Sequence, residues 1–310
     1  MIFCKMTSHI NMMNKCKTLL PILSHNLHKG QSGRIGVIGG CEEYTGAPYY
    51  AAISALRTGA DLVYVFCFKS AAPVIKSYSP ELIVLPYLDS PDCIDRLKPW
   101  LEKLHSLVVG PGLGTSPIAQ DAVRRIFEHI SRESNFNNKR MPIIADADSL
   151  NVIEPETFRF YNGCIYLTPN VHELTKLSSR LIGRQTYEPT VTDVQALMNK
   201  LGGNYVIVLK GAEDVIANIR GTLVCTEPGS TRRCGGQGDI LAGSMGTFAY
   251  WASKQTHYCD ELDPEVLAAY AASALTRHTN KLAFKAKGRN MITTDIVELL
   301  PNAFQTLFGN

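Results

Sequence analysis

The sequence predicts an α/β fold: one domain on a doubly wound, mostly parallel sheet with helices on both faces. Three observations predict it. Near-continuous Val/Ile/Leu runs alternate with segments of helical periodicity, the pattern of strands buried on both faces. The glycine-rich stretches follow those runs directly, where open parallel sheets bind ligands. No long linker, internal repeat or low-complexity segment divides the chain.

In order, Arg34–Ile38 is a short apolar strand closing on Gly39-Gly40. Ala47–Leu56 carries small and apolar residues at helical spacing, with Pro48 in the first turn. Asp61–Phe68, Glu81–Leu85, Ser106–Val109, Pro142–Ala145 and Gly163–Leu167 read as further strands. Ile118–Ile130 and Thr192–Leu201 read as amphipathic helices, and polar Asn135–Arg140 as a surface loop. Tyr205–Leu209 is another buried strand. Asp214–Ile219 and Thr222–Cys225 flank Arg220-Gly221 as a hairpin. Asp239–Trp251 and Pro264–His278 are long apolar helices, and Thr293–Leu307 is the last.

The 310 residues carry 31 Lys+Arg and 28 Asp+Glu, a formal net charge of +3. So small an excess excludes a polyelectrolyte as the default partner, and no nucleic acid is expected. An apolar share of 45% excludes global disorder. At roughly 150 residues per domain the length suits two domains, but α/β folds of this size run as one. The nine cysteines form no C-x-x-C pair, and Cys67 and Cys164 sit in apolar runs. They read as reduced core thiols of an intracellular protein, cytoplasmic or with a mitochondrial form. No apolar run approaches ~18 residues, so no membrane span is expected. Residues 1–27 precede the first acid at Glu42 and carry Lys5, Lys15 and Lys17. They read as an N-terminal arm, flexible or a weak targeting segment.

Six loops could carry chemistry. Gly39–Pro48 joins a strand to a helix N-terminus that would suit an anion, or is an ordinary turn. Val108–Thr115 has the spacing G-x-G-x-G, neither a dinucleotide fingerprint nor a Walker loop. It presses backbone against a ligand or is simply a tight turn. Asp146-Ala147-Asp148 sets two carboxylates at a strand end, to shape a polar pocket or cap a helix. In Thr168–Leu174, Asn170 caps a helix behind Pro169, and His172 reads as a surface residue. Lys210 ends a strand before Gly211, placed to meet a phosphate or to stand exposed. The strongest is Gly229–Gly243, where Gly235, Gly236 and Gly238 with Arg232-Arg233 precede an apolar helix whose N-terminus attracts anions. Asp239 in that first turn can favour the helix dipole. It can also accept a proton from a hydroxyl attacking phosphorus.

Gly236-Gln237-Gly238-Asp239 resembles the G-x-G-D signature of ribokinase-like kinases. Gly39-Gly40 with Tyr44–Ala47, Gly110–Gly114, Asp146–Asp148, Thr168–Asn170 with Glu173, and Lys210-Gly211 narrow the match. They stand in the order found in the ATP-dependent NAD(P)H-hydrate dehydratases, eukaryotic branch, from about His28 to Phe308. Ser149 departs from the glycine common in relatives.

The resemblance implies a single ribokinase-like catalytic domain over residues 28–310. It implies ATP-dependent repair of the S epimer of hydrated NADH or NADPH. The ring hydroxyl is phosphorylated, phosphate is lost, and ADP is released. Carried over position by position, ATP falls to Lys210, Gly211, Ala212, Glu213 and Asp214. It also falls to Gly229, Ser230, Thr231, Arg232, Arg233, Cys234, Gly235, Gly236, Gln237 and Gly238. The hydrate falls to Tyr44, Thr45, Gly112, Gly114, Asn170, Val171, His172, Glu173, Leu174, Thr175, Lys176 and Asp239. Asp239, Gly236 and Gly238 are the implied catalytic positions, with Mg2+ bridging phosphate oxygens. A homo-oligomer is left open. The rival readings are another ribokinase-like kinase, of hydroxymethylpyrimidine or a thiazole alcohol, and a non-catalytic nucleotide sensor.

Overall fold

The computed structural model describes residues 9–137, 140–184, 189–255 and 262–309. Nine strands form one sheet: β1 Arg34–Ile38, β2 Leu62–Cys67, β3 Ile83–Pro86, β4 Ser106–Val109, β5 Ile143–Ala145, β6 Ile165–Leu167, β7 Tyr205–Leu209, β8 Asp214–Asn218 and β9 Gly221–Cys225. The order is β3-β2-β1-β4-β5-β6-β7-β8-β9. Pairing is parallel from β3 through β7 and antiparallel for β7-β8-β9. The strand order therefore reverses between β1 and β4, and such a crevice holds ligands in open α/β sheets.

Among the described residues ten α-helices accompany the strands: α1 His9–Lys17, α2 Gly46–Thr58, α3 Ala72–Tyr78, α4 Cys93–Leu101, α5 Pro117–Asn137, α6 Val171–Ile182, α7 Val191–Leu201, α8 Gln237–Ser253, α9 Pro264–Lys287 and α10 Thr293–Phe308. The period-two alternation of the strands divides the core. Ile35, Val37, Val65, Val108, Ile144 and Val208 pack with α2, α8, α9 and α10. Ile38, Phe66, Val109, Ile143, Leu167 and Ile207 pack with α4, α5, α6 and α7. Helix α8 is buried on every side from Ile240 to Ala252, since it lies between the sheet and other helices. It meets α2 closely at Gly243, where a Cβ would stand 1.9 Å from the Ala51 carbonyl oxygen.

The expected strands all form, the expected helices differ at their ends, and α3 and α4 are helices that the sequence reading lacked. α5 continues to Asn137, so Asn135–Asn137 are helical and not part of a loop; residues 138–139 lie outside the described ones. α9 runs on to Lys287. The expected flexible arm is corrected from His9 onward. Residues 9–17 are helical, with Met12, Met13 and Cys16 buried and the Cys16 thiol donating to the Leu267 carbonyl. Residues 1–8 lie outside the described ones. No described helix is long and apolar enough to cross a membrane. Among the described residues Cys16, Cys41, Cys67, Cys93, Cys164, Cys225 and Cys234 are free thiols.

Candidate active site

Parallel pairing puts the ends of β1, β4, β5, β6 and β7 on one edge, so the first five loops converge there. The first two interlock: Gly40 and Cys41 donate N–H groups to the Gly112 carbonyl at 3.1 and 3.0 Å. Gly110 has φ +121°, and a Cβ there would lie 1.8 Å from the Asp146 carbonyl oxygen, so only glycine fits between β4 and the next loop. Ser149 is fully buried and donates to the Val109 and Asp146 carbonyls at 2.8 and 2.9 Å. The Ser149 hydroxyl thus ties the third loop to the second. Asp148 Oδ2 accepts the Gly114 N–H at 3.0 Å.

The hub is Asp146, 2% exposed. Its Oδ1 accepts from the Thr168 hydroxyl at 2.7 Å and from Lys210 Nζ at 2.8 Å. Lys210 Nζ also lies 3.5 Å from Glu173 Oε2. Glu173 is itself fixed by a capping box: its carboxylate accepts the Asn170 N–H, and the Asn170 side chain accepts the Glu173 N–H. The Lys210 N–H donates to the Pro169 carbonyl at 2.9 Å, joining the fourth and fifth loops. Ala147 follows Asp146 with φ +48°, the left-handed region that a side chain resists.

The sixth loop arrives from β9 and ends in α8, with Gly236 at the N-cap, φ +95°. A Cβ at Gly238 would stand 3.4 Å from Lys210 Nζ, so the α8 N-terminus abuts the Lys210–Asp146 pair. Asp239 in that turn has its carboxyl pushed up to about 8. Burial is the largest cause, and the Asp146 and Glu173 charges add to it against the opposing Lys210. Burial pulls Lys210 down, but Asp146, Glu173 and Asp239 outweigh it and hold its ammonium charged. Three carboxylates and one ammonium thus share this corner.

Beside them opens a cavity of about 510 Å³. Among the expected nucleotide residues, Lys210, Gly211, Ala212, Asp214, Gly229, Arg233, Gln237 and Gly238 line it, with Asn170. Glu213 and Thr231 are exposed and off its wall, as are half-buried Ser230, Arg232 and Cys234. Gly235 and Gly236 shape the turn behind it. The Asp214 carboxylate turns inward, accepting from the Gly211 N–H at 3.1 Å and Arg277 Nη1 at 3.0 Å. Arg233 Nη1 donates to the Ser230 carbonyl at 2.8 Å, bracing its own loop.

Gly112, Gly114, Tyr44 and Thr45 lie on the interlocked β1 and β4 loops, while Asn170 and Glu173 start α6 beside Lys210. Val171, His172 and Lys176 are exposed on α6, and the Thr175 hydroxyl donates back to the Val171 carbonyl. The Leu174 side chain, placed at the hydrate by the resemblance, is fully buried in the α4–α7 core. The helical period turns the fourth residue of α6 inward.

Sequence reasoning assigned no role to Thr276, Arg277, Asn280, Leu241 and Ile296, which complete the cavity wall. Arg277 Nε donates to the Glu227 carbonyl at 2.6 Å, and its Nη2 to the Ala212 carbonyl, so one guanidinium holds both loop segments of the cavity wall. Asn280 Oδ1 accepts the Ser230 N–H at 2.7 Å. The available signal was a polar i, i+3 pair inside the apolar α9.

A family model described as NAD(P)H-hydrate dehydratase matches residues 35–302. The chain is 45% identical to the ATP-dependent (S)-NAD(P)H-hydrate dehydratase of Danio rerio, covering 96% of this chain and 89% of that protein. Two solved structures share the fold. One is the ADP/ATP-dependent NAD(P)H-hydrate dehydratase of Bacillus subtilis co-crystallised with ATP/Mg2+, at TM-score 0.73, 22% identity and coverage of 95% and 97%. The other is a ribokinase-like superfamily protein of Enterococcus faecalis, at TM-score 0.71, 22% identity and coverage of 96% and 95%. With six loops on one sheet edge in the expected order, and a match that spans nearly the whole sheet, the chain belongs to the NAD(P)H-hydrate dehydratase family.

Proposed function

We propose that this protein restores NADH and NADPH from the S epimer of their hydrates, consuming ATP and releasing ADP and phosphate. The observation that carries the reading is the position of Asp239. It stands in the first turn of α8, next to Gly238 and Gln237 of the cavity wall and close to the charges of Lys210, Asp146 and Glu173. ATP in the cavity would direct its γ-phosphate at the α8 N-terminus, where the Gly236 and Gly238 backbone meets developing charge. Lys210 and Arg233 add positive charge from the wall.

The hydrate would lie over Gly112, Gly114, Tyr44 and Thr45, with the α6 N-terminus at Asn170 and Glu173 beside it. Its ring hydroxyl then faces Asp239, which takes the proton as the oxygen bonds to phosphorus and the bond to ADP breaks. The ring nitrogen supplies the electron pair that expels phosphate, and loss of a proton from the adjacent carbon restores the double bond. Hydroxide is a poor leaving group and phosphate a good one, which is what ATP contributes.

Magnesium, if bound with ATP, would supply neutralisation of phosphate charge. Asp146, Glu173 and Asp239 stand near one another as hard oxygens, of which one or two would face such an ion. Among the described residues no three His, Cys, Asp or Glu side chains converge on a metal site. Such an ion keeps phosphate and water ligands with one or two carboxylates. We place the reaction inside the cell, in keeping with the free thiols.

The test is ADP release with and without hydrated NADH, with NADH followed by its absorbance. Release that depends on the hydrate, with equal recovery of NADH, is expected. ATP hydrolysis indifferent to the hydrate, or binding without release, would overturn the reading.

A further inference from the structure

Three tyrosines form a ladder beside the proposed hydrate site. The Tyr78 and Tyr49 rings lie 5.2 Å apart and the Tyr49 and Tyr50 rings 5.5 Å apart, all tilted. Tyr78 is 44% exposed and neighbouring Tyr44 57%, large aromatic surface that the core does not use. Both ends of the ladder are tied to the site. The Tyr78 hydroxyl lies 2.9 Å from Thr45 Oγ1. A Cβ at Gly236 would stand 3.0 Å from the Tyr50 ring. Tyr44 packs over Gly112, where a Cβ would stand 2.7 Å from its carbonyl oxygen.

Between the ladder and the Gly112 loop is the start of α2. Thr45 makes no side-chain cap there, and the first turn carries no acid. The backbone N–H groups at the start of α2, Pro48 having none, thus receive no cap from Thr45.

A hydrated dinucleotide has two bases and a pyrophosphate between them. If its reacting ring faces Asp239, its second base must leave the site. The Lys210–Arg277 cavity belongs to ATP in this reading, so the route left runs across the α2 N-terminus toward the tyrosines. We propose that Tyr78, Tyr49 and Tyr50 form the platform on which the adenine base of the hydrated dinucleotide stacks, with the pyrophosphate crossing the start of α2. This rests on the function proposed above. Aromatic faces hold bases by stacking, and a helix N-terminus suits an anion. The ladder is thereby a device for selecting dinucleotides over mononucleotides.

The experiment compares hydrated NADH with hydrated reduced nicotinamide mononucleotide, which has the reacting ring and no adenosine. Wild-type protein is set beside Tyr78→Ala and Tyr49→Leu. In wild type, KM for the dinucleotide hydrate should be lower by about ten- to a hundredfold. The variants should raise it toward the mononucleotide value, leaving kcat, KM for ATP and KM for the mononucleotide hydrate unchanged. Equal loss on both substrates, or no loss on either, overturns the platform. So does a change of oligomeric state by sedimentation with the KM gap preserved, which would make the patch a self-association surface. Wild-type turnover without discrimination overturns this inference alone. Absence of turnover on either hydrate overturns the proposed function, and the platform with it.

Discussion

Lys210 Nζ lies 2.8 Å from Asp146 Oδ1, and this pair bridges the end of β7 to the end of β5 beneath the start of α8. The lysine therefore has two tasks: it offers charge to the cavity and it balances Asp146, Glu173 and Asp239. Lys210→Met should raise KM for ATP by about ten- to a hundredfold, the loss of one charge-assisted bond. It should also move the acid limb of the pH–rate profile to higher pH, because Lys210 opposes the rise of the Asp239 pKa. A variant with unaltered KM and an unmoved limb would remove Lys210 from the site. Initial rates across pH at several ATP concentrations read both.

Asp239→Asn should stop the chemistry and spare nucleotide binding. The amide keeps the shape but cannot accept the proton, so kcat should fall by roughly 10²–10⁴. The Kd for ATP, measured by calorimetry, should change little. Near-native turnover would reassign the base to water or to the phosphate itself.

The same carboxyl predicts how stability depends on pH. Its folded pKa of about 8 lies above the ordinary 3.8, so the folded state holds a proton that the unfolded state has released. Stability from this group is present below pH ~4 and is lost as pH rises through about 8. Asn cannot ionise, so Asp239→Asn should melt above wild type at pH 8.5, by about 1 kcal/mol or more, roughly 2–4 °C. The gap should close toward pH 4. Parallel melting curves without ligand at both pH values decide it, and an equal gap at both would refute the assignment.

Much of the site was legible because each strand end carries its own punctuation. Gly39-Gly40, Gly110, Asp146, Thr168-Pro169 and Lys210-Gly211 all follow short apolar runs, and parallel pairing alone brings them together. The centrality of Asp146 was not legible, because its partners come from β6 and β7 and only the folded register joins them. Leu174 shows the opposite failure: a motif carried over as a block ignores that successive helical residues face different ways. Helix α1 was missed because its cohesion is tertiary. Met12, Met13 and Cys16 are a thin apolar stripe that has value only against α9. α3 and α4 are short, and Pro99 lies within α4, which weakens their periodicity.

Arg277 lies outside every glycine motif yet joins two loops of the cavity wall. Its guanidinium bonds the Gly211 and Ala212 carbonyls, the Asp214 carboxylate and the Glu227 carbonyl, clamping the turn after β7 to the chain leaving β9. Asp214 is buried, and burial pushes its carboxyl above the ordinary range even with Arg277 and the Gly211 N–H opposing. Arg277→Ala leaves that carboxylate unpaired, and breaking a buried pair from one side costs about 3–5 kcal/mol. A fall in Tm and a rise in KM for ATP are both expected, with KM for the hydrate unchanged. Arg277→Met with Asp214→Asn removes both charges together and should recover much of the Tm. It should not recover KM for ATP, because the two loop segments remain unclamped. Recovery of KM together with Tm would mean that Arg277 acts on stability alone and that the nucleotide loops hold their positions without it.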